Sequence, residues 1–274
     1  ACCSELSAQA TRPGQSHPEP PMTLKQKRLA FVALLVVAVI ALLSALAFQR
    51  MKGELVAGAE NEIRAAVQGN SEALSRWASQ RRDAVEAVAT RLNAGVEPGP
   101  FLATGKDAGR FEQLFAGYAD KRMIYNLADK RPPEGYDPTA RPWYKKASEA
   151  GASVLSAPYV FASTQKLGVT FASPVKEGGQ ITAVVGGDIA LDEIVRLVQG
   201  IHLRSDGYAF LATRDGKIVA HPQADSVLKN VQDVMPGLDA SQISNASREF
   251  KPVAATISGH QKYLVLSPVE GTDW

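Results

Sequence analysis

The chain has 274 residues, of which 45% are apolar and 21% charged, and carries a formal net charge of +2. Such a composition buries one large core or two modest ones and excludes a disordered protein. The near-neutral balance, with no dense Lys/Arg stripe, argues against a nucleic-acid partner.

Both cysteines, Cys2 and Cys3, are adjacent at the N-terminal end, so the remainder offers no thiol for a disulfide, a zinc site or a nucleophile. Residues 1–21 are polar, rich in proline and without periodicity, and read as a disordered leader or as sequence upstream of a start at Met22. Residues 22–28 contain Lys25, Lys27 and Arg28 and read as a short cytoplasmic N-terminus. From Leu29 to Phe48 the chain is apolar with one serine and no charge, about the length that crosses a hydrocarbon core. A cleaved signal peptide is the alternative, but the run is long for one and no small-residue cleavage site is cleanly placed after it. Either reading puts the chain beyond Phe48 outside the cytoplasmic membrane.

Residues 49–97 place Val56, Ile63, Val67, Leu74, Trp77, Ala78, Val85, Val88 and Leu92 at steps of three, four and seven, which predicts one long stalk helix able to pair with a second copy. A break near Gly69-Asn70 is the alternative. Residues 98–200 read as a first module. FAGY and RMIYNL flank Ala119-Asp120-Lys121 as a hairpin, and WYKKASEA is a short helix closed by Gly151. The runs SVLSAPYVFAS, KLGVTFASPV and ITAVVGGDIAL predict three consecutive antiparallel strands in a meander, and LDEIVRLVQGI predicts a helix leaving it. Residues 201–274 read as a second module whose strands begin near Ser205. Asp215-Gly216 sits between two alternating runs as a hairpin turn, and Ser258-Gly259 joins a further pair. The fold class is α+β: a membrane helix, a stalk helix and two tandem antiparallel sheets.

The stretch GYDPTARPWYKKA, residues 135–147, crowds rings and one guanidinium into a segment that two prolines stiffen. Arg141 offers a planar fork for a carboxylate, and Tyr136, Trp143 and Tyr144 offer walls with polar tips. Tyr159 and Asp188 sit on separate predicted strands, and Asp188 interrupts an apolar run where a carboxylate is costly unless it is paired or used. Gly186 and Gly187 before it leave room for a close approach to the backbone. Enzymatic chemistry has no comparable signal. His17, His202, His221 and His260 are scattered, and no nucleophile elbow, metalloprotease motif or phosphate loop is present, so no catalytic residue, metal or cofactor is expected.

Span, long helix, YDPTARPWYKKA, APYVFAST, TFASPV, VVGGDIALDEI and GYAFLATRDGKIVAHP together resemble the double-Cache extracellular sensor domains of bacterial chemoreceptors and related transmembrane receptors, over residues 22–274. The resemblance implies two PAS-like modules in the periplasm, an inner-membrane anchor, a homodimer through the long helix and a small-molecule ligand in the first module. It implies Tyr136, Arg141 and Trp143 on a ligand carboxylate, and Tyr144, Tyr159 and Asp188 facing an ammonium group. Where members that bind amino acids carry an acid two residues beyond this tyrosine, the chain has Phe161. The expected ligand is therefore a small nitrogenous metabolite such as an amino acid, with a purine or amine stacked on Phe161 as the alternative. The expected output is chemotaxis, with a diguanylate cyclase or histidine kinase as the alternative.

Overall fold

A computed structural model describes residues 23–127, 129–203, 207–250, 252–257 and 259–274. The expected leader, residues 1–21, lies outside the described residues, as does Ser205, the expected start of the second module's strands. Two compact units divide at Gly58-Ala59.

Helix α1 runs unbroken over Leu24–Asn93, with no interruption at Gly69-Asn70. Its N-terminal stretch is long and apolar enough to cross a membrane, and its apolar side chains from Leu29 to Phe48 are exposed. Between Ala78 and Leu92 the same helix is a core element. Ala78, Val85, Val88, Ala89 and Leu92 are buried at helical spacing.

Helix α2 (Pro98–Gly109) is an element that sequence patterning does not reveal, since three glycines and two prolines make it read as a loop. Strands β1 (Gln113–Tyr118) and β2 (Met123–Tyr125) form the expected hairpin. A 3-10 turn at Pro138–Ala140 leads into α3 (Pro142–Ala150), which ends at Gly151 with a φ of 58°, a conformation glycine adopts without strain. Strands β3 (Val154–Leu155), β4 (Tyr159–Val160), β5 (Leu167–Glu177) and β6 (Gln180–Ala190) come next.

The meander is corrected in two respects. SVLSAPYVFAS is not one strand: it breaks around Pro158 into β3 and β4, both pairing with β5. The sheet order is β2-β1-β6-β5-β3, so the β1–β2 hairpin docks on the far edge of β6 and places β6 at the centre. Side chains alternate across this sheet. Val185 and Ile189 of β6 pack in the core cluster that includes Val85 and Val88 of α1, whereas Val184 packs with Trp143, Tyr144 and Ala147 of α3. Asp188, four residues from Val184, is on the α3 face.

Helix α4 (Leu191–Gln199) begins directly after β6. Beyond it come β7 (Leu211–Ala212), β8 (Ile218–Ala220), α5 (Val231–Val234), α6 (Ala240–Glu249), β9 (Val253–Ile257) and β10 (His260–Leu264). Among the described residues, the second module's strands form two separate hairpins rather than the single sheet expected, and the pairing of β7 with β8 shifts register at Leu211/Ala212. Helices α5 and α6 are absent from the sequence-based expectation.

Candidate functional site

Register builds the site. Gln113 of β1 and Thr170 of β5 are the Cα partners of Asp188 on either side of β6, so three polar residues form a row across three strands. All three are buried, and Asp188 is 4% exposed. The Thr170 hydroxyl donates to Asp188 Oδ1 at 2.6 Å and lies 2.6 Å from the Tyr159 hydroxyl. A threonine hydroxyl has one proton, so Tyr159 must donate to Thr170, giving a chain Tyr159 to Thr170 to Asp188. Ser156 Oγ fixes the threonine further by accepting from its backbone N–H at 2.9 Å.

Above this row, Phe115, Tyr125, Tyr136, Tyr159 and Phe161 wall a small cavity with Asp188, and Met123, Ala162 and Ser163 complete the lining. The cavity is about 10 Å³ as room for the centre of a water molecule. Phe161 is 2% exposed and meets Tyr159 edge to face at 5.3 Å. Space for its ring exists because residue 168 is glycine: a Cβ there would stand 2.2 Å from the Phe161 ring. Gly186 serves Phe115 in the same way, with a would-be Cβ at 2.4 Å.

The stiff turn positions Arg141. Asp137 caps it, accepting from Thr139 N at 2.9 Å and from Thr139 Oγ1 at 2.6 Å, and pairs with Lys121 at 2.8 Å. Lys121 first, and then Thr139, hold the Asp137 carboxyl down to about 2. Arg141 has extended backbone ahead of Pro142 and lays its guanidinium over the rings of Tyr136, at 5.6 Å, and Tyr159, at 5.8 Å. One of its terminal nitrogens donates to Val160 O at 3.4 Å, while its Nε is buried without a partner.

The structure thus brings Tyr136, Tyr159, Phe161 and Asp188 around one cavity, with Arg141 over two of its tyrosines. Trp143 and Tyr144 stand behind this group. Trp143 is fully buried against Phe115, at 5.1 Å between ring centroids, and Tyr144 packs on Trp143 at 5.6 Å. Helix α3 presents both rings to the sheet, and the Trp143 indole N–H is buried there without an acceptor. Sequence reasoning missed Phe115, Tyr125, Gln113, Thr170, Ser163 and Lys130. Gln113 Oε1 accepts from Lys130 Nζ at 2.8 Å and Ser163 Oγ at 3.1 Å, leaving its Nε2 buried and unpaired. A polar residue interrupting an apolar strand, the signal that drew attention to Asp188, also marks Gln113 and Thr170.

Desolvation dominates the electrostatics. Burial pushes the Asp188 carboxyl up to about 7; the Thr170 hydrogen bond and Lys130 oppose this, and Glu112 adds to it. Burial likewise lifts the phenols of Tyr125, Tyr136 and Tyr159 above their ordinary range. A group that supplies positive charge beside Asp188 would stabilise its ionised form, and the Arg141 guanidinium over Tyr136 and Tyr159 is the cation at hand for an anionic group. Among the described residues, no cluster of His, Cys, Asp or Glu could hold a metal ion.

A profile of the Cache domain matches residues 45–274. Methyl-accepting chemotaxis protein PctB of Pseudomonas aeruginosa is 39% identical over 145 residues, 52% of this chain and 22% of that protein. Methyl-accepting chemotaxis protein PscA of Pseudomonas syringae pv. tomato is 29% identical over 251 residues, 90% of this chain and 39% of that protein. The chain therefore spans well under half the length of either. Among solved structures, the ligand-binding domain of the amino acid chemoreceptor PctB with L-Arg superposes with a TM-score of 0.66 at 30% identity, covering 78% of this chain and 90% of that one. The ligand-binding domain of the Pseudomonas fluorescens chemoreceptor CtaA with L-isoleucine gives 0.70 at 26% identity, covering 81% and 90%. With a profile match over most of its length and chemoreceptor sensor domains of the same fold, the chain belongs to the Cache-domain family.

Proposed function

We propose that the chain is the ligand-sensing part of a membrane chemoreceptor, and that the site on the α3 face, whose cavity as it stands has room for little more than one water, opens to take a small nitrogenous metabolite, first of all an amino acid. One observation carries this reading: a buried carboxylate held by the Tyr159–Thr170 chain faces a ring-walled cavity, and a guanidinium lies over two of the tyrosines that wall it. An ammonium group would meet Asp188 and a carboxylate would meet Arg141, each as a charge-assisted contact. Similar domains solved with L-Arg and L-isoleucine support the ligand class.

Phe161 favours a second reading. It occupies the wall beside Tyr159 with an apolar ring, and Lys130 lies near enough to act on Asp188. The Asp188 pole is therefore weakly acidic, which suits a planar purine or an amine stacked on rings as well as an α-amino acid. The remaining parts of the reading rest on α1. Its apolar stretch would span the inner membrane with residues 22–28 in the cytoplasm, and the two modules, residues 98–200 and 201–274, would lie in the periplasm. Residues 49–97 would form the stalk and pair with a second copy. No catalysis is proposed, and the output is chemotaxis, as in the relatives.

The test is calorimetric titration of the chain in lipid nanodiscs with amino acids, amines, purines and small carboxylates. Arg141→Ala and Asp188→Ala should each abolish binding while the fold persists; affinity retained in both removes the site assignment. Phe161→Asp should move preference toward α-amino acids, and an unchanged ranking excludes that position from the pocket.

A further inference from the structure

The second module holds a cavity that shares no lining residue with the one above. Its volume is about 210 Å³, and its wall is largely apolar, with Ile63 and Val67 of α1, Phe210, Leu264, Leu266 and Trp274. An engineered apolar cavity of about 150 Å³ in another protein accommodates benzene, so this one has room for a six-membered ring or a short alkyl chain.

The charges on the wall are of one sign. Arg214 and Lys262 line it, and no Asp or Glu does so among the described residues. Lys262 sits over the Tyr208 ring at 5.8 Å and has no carboxylate partner among the described residues. The neutral polar groups on the α1 side are already used: Ser71 and Ser267 bond each other at 2.9 Å, and Asn70 donates to Ala66 O at 2.8 Å. Trp274, 5% exposed on the same wall, keeps a buried indole N–H that has found no acceptor. Two cations, one spare donor and an apolar interior suit an apolar body bearing a single negative charge.

We propose that this cavity is a second ligand site, selective for small apolar carboxylates and independent of the cavity at Asp188. Lys262 holds the carboxylate and the aliphatic and aromatic wall takes the body. The experiment is titration of the chain in nanodiscs with benzoate and hexanoate, with benzyl alcohol and hexanol as neutral counterparts and empty nanodiscs as the blank. Both acids should bind saturably, and Lys262→Met should weaken them about tenfold while leaving the alcohols unchanged. Val67→Trp, which fills the space from α1, should abolish binding; Leu264→Trp fills it from β10 if the first variant does not fold. The Arg141→Ala/Asp188→Asn double variant should bind benzoate as the parent does. Binding no better than to empty discs overturns the site, and equal binding of acids and alcohols insensitive to Lys262→Met overturns the carboxylate assignment. Loss of benzoate in the double variant assigns it to the other cavity and overturns the proposal.

Discussion

Replacing Asp188 by asparagine should remove a pH dependence that the native fold carries. The carboxyl is 4% exposed and pushed up to about 7, chiefly by desolvation, from an ordinary value of 3.8. In the unfolded chain it ionises near that ordinary value. Between about pH 4 and pH 7 the native state therefore keeps a proton that the unfolded state has lost, and stability falls as pH rises through that window, levelling off above it. The difference is about 3 units at 1.36 kcal/mol each, so the loss is at most about 4 kcal/mol. Asparagine stays neutral throughout and keeps an oxygen where Thr170 donates at 2.6 Å. Asp137, held down to about 2 by Lys121 and Thr139, contributes with the opposite sign, and so the readout is the difference between parent and variant. Denaturant unfolding of both at about pH 4 and pH 8 should show the variant gaining up to about 4 kcal/mol relative to the parent at the higher pH. Parallel curves would refute the reasoning, because they would mean that the buried carboxyl is already ionised in the native state at about pH 4.

Two further outcomes rest on the same geometry. Affinity for a ligand bearing an ammonium group should rise with pH through about 7 as Asp188 ionises, and should be about tenfold weaker at about pH 6 than at pH 8; calorimetry at both pH values checks this. Gly168→Ala should cost about 1–3 kcal/mol in thermal unfolding, since its Cβ would stand 2.2 Å from the Phe161 ring and 2.4 Å from the Ile189 carbonyl oxygen, and an unchanged melting temperature would show that the Phe161 segment yields freely.

Much of the fold is written locally. Alternation and turn residues identify β5, β6 and the Asp215-Gly216 hairpin, and prolines at 138 and 142 fix the turn that aims Arg141. What cannot be read locally is long-range pairing. The β1–β2 hairpin joins β6 across some sixty residues of chain, and only that pairing puts Gln113 beside Asp188. Helix α2 hides for a related reason. Gly105 and Gly109 argue against a helix in isolation, yet they permit close contact with Val88, Leu114 and Phe111, a benefit that exists only in the folded core. The setting of Trp143 and Tyr144 is long-range in the same way: α3 turns both rings toward the sheet, and only the folded sheet shows how much of their area is buried there.

The strands that hold the site are also those tied to α1. Only Ile189 and Ala190 separate Asp188 from α4, whose first turn carries Glu193. Arg81 of α1, 6% exposed, donates to Glu193 Oε1 at 2.9 Å and stacks over Trp77 at 4.2 Å. Trp77 in turn meets Phe171, the neighbour of Thr170, edge to face at 5.9 Å. A ligand that draws on Asp188 and Thr170 shifts α1 only if it binds one arrangement of these contacts better than another. Arg81→Met keeps the stem over Trp77 and removes the charge. Because the Glu193 side chain is 34% exposed and can be hydrated, the cost should be about 2 kcal/mol rather than that of a fully buried pair. If the pair is part of the coupling, the same variant should also change ligand affinity by about fivefold, the scale of a weak allosteric link. An affinity that stays constant while stability drops would show that the clamp secures the fold and carries no signal.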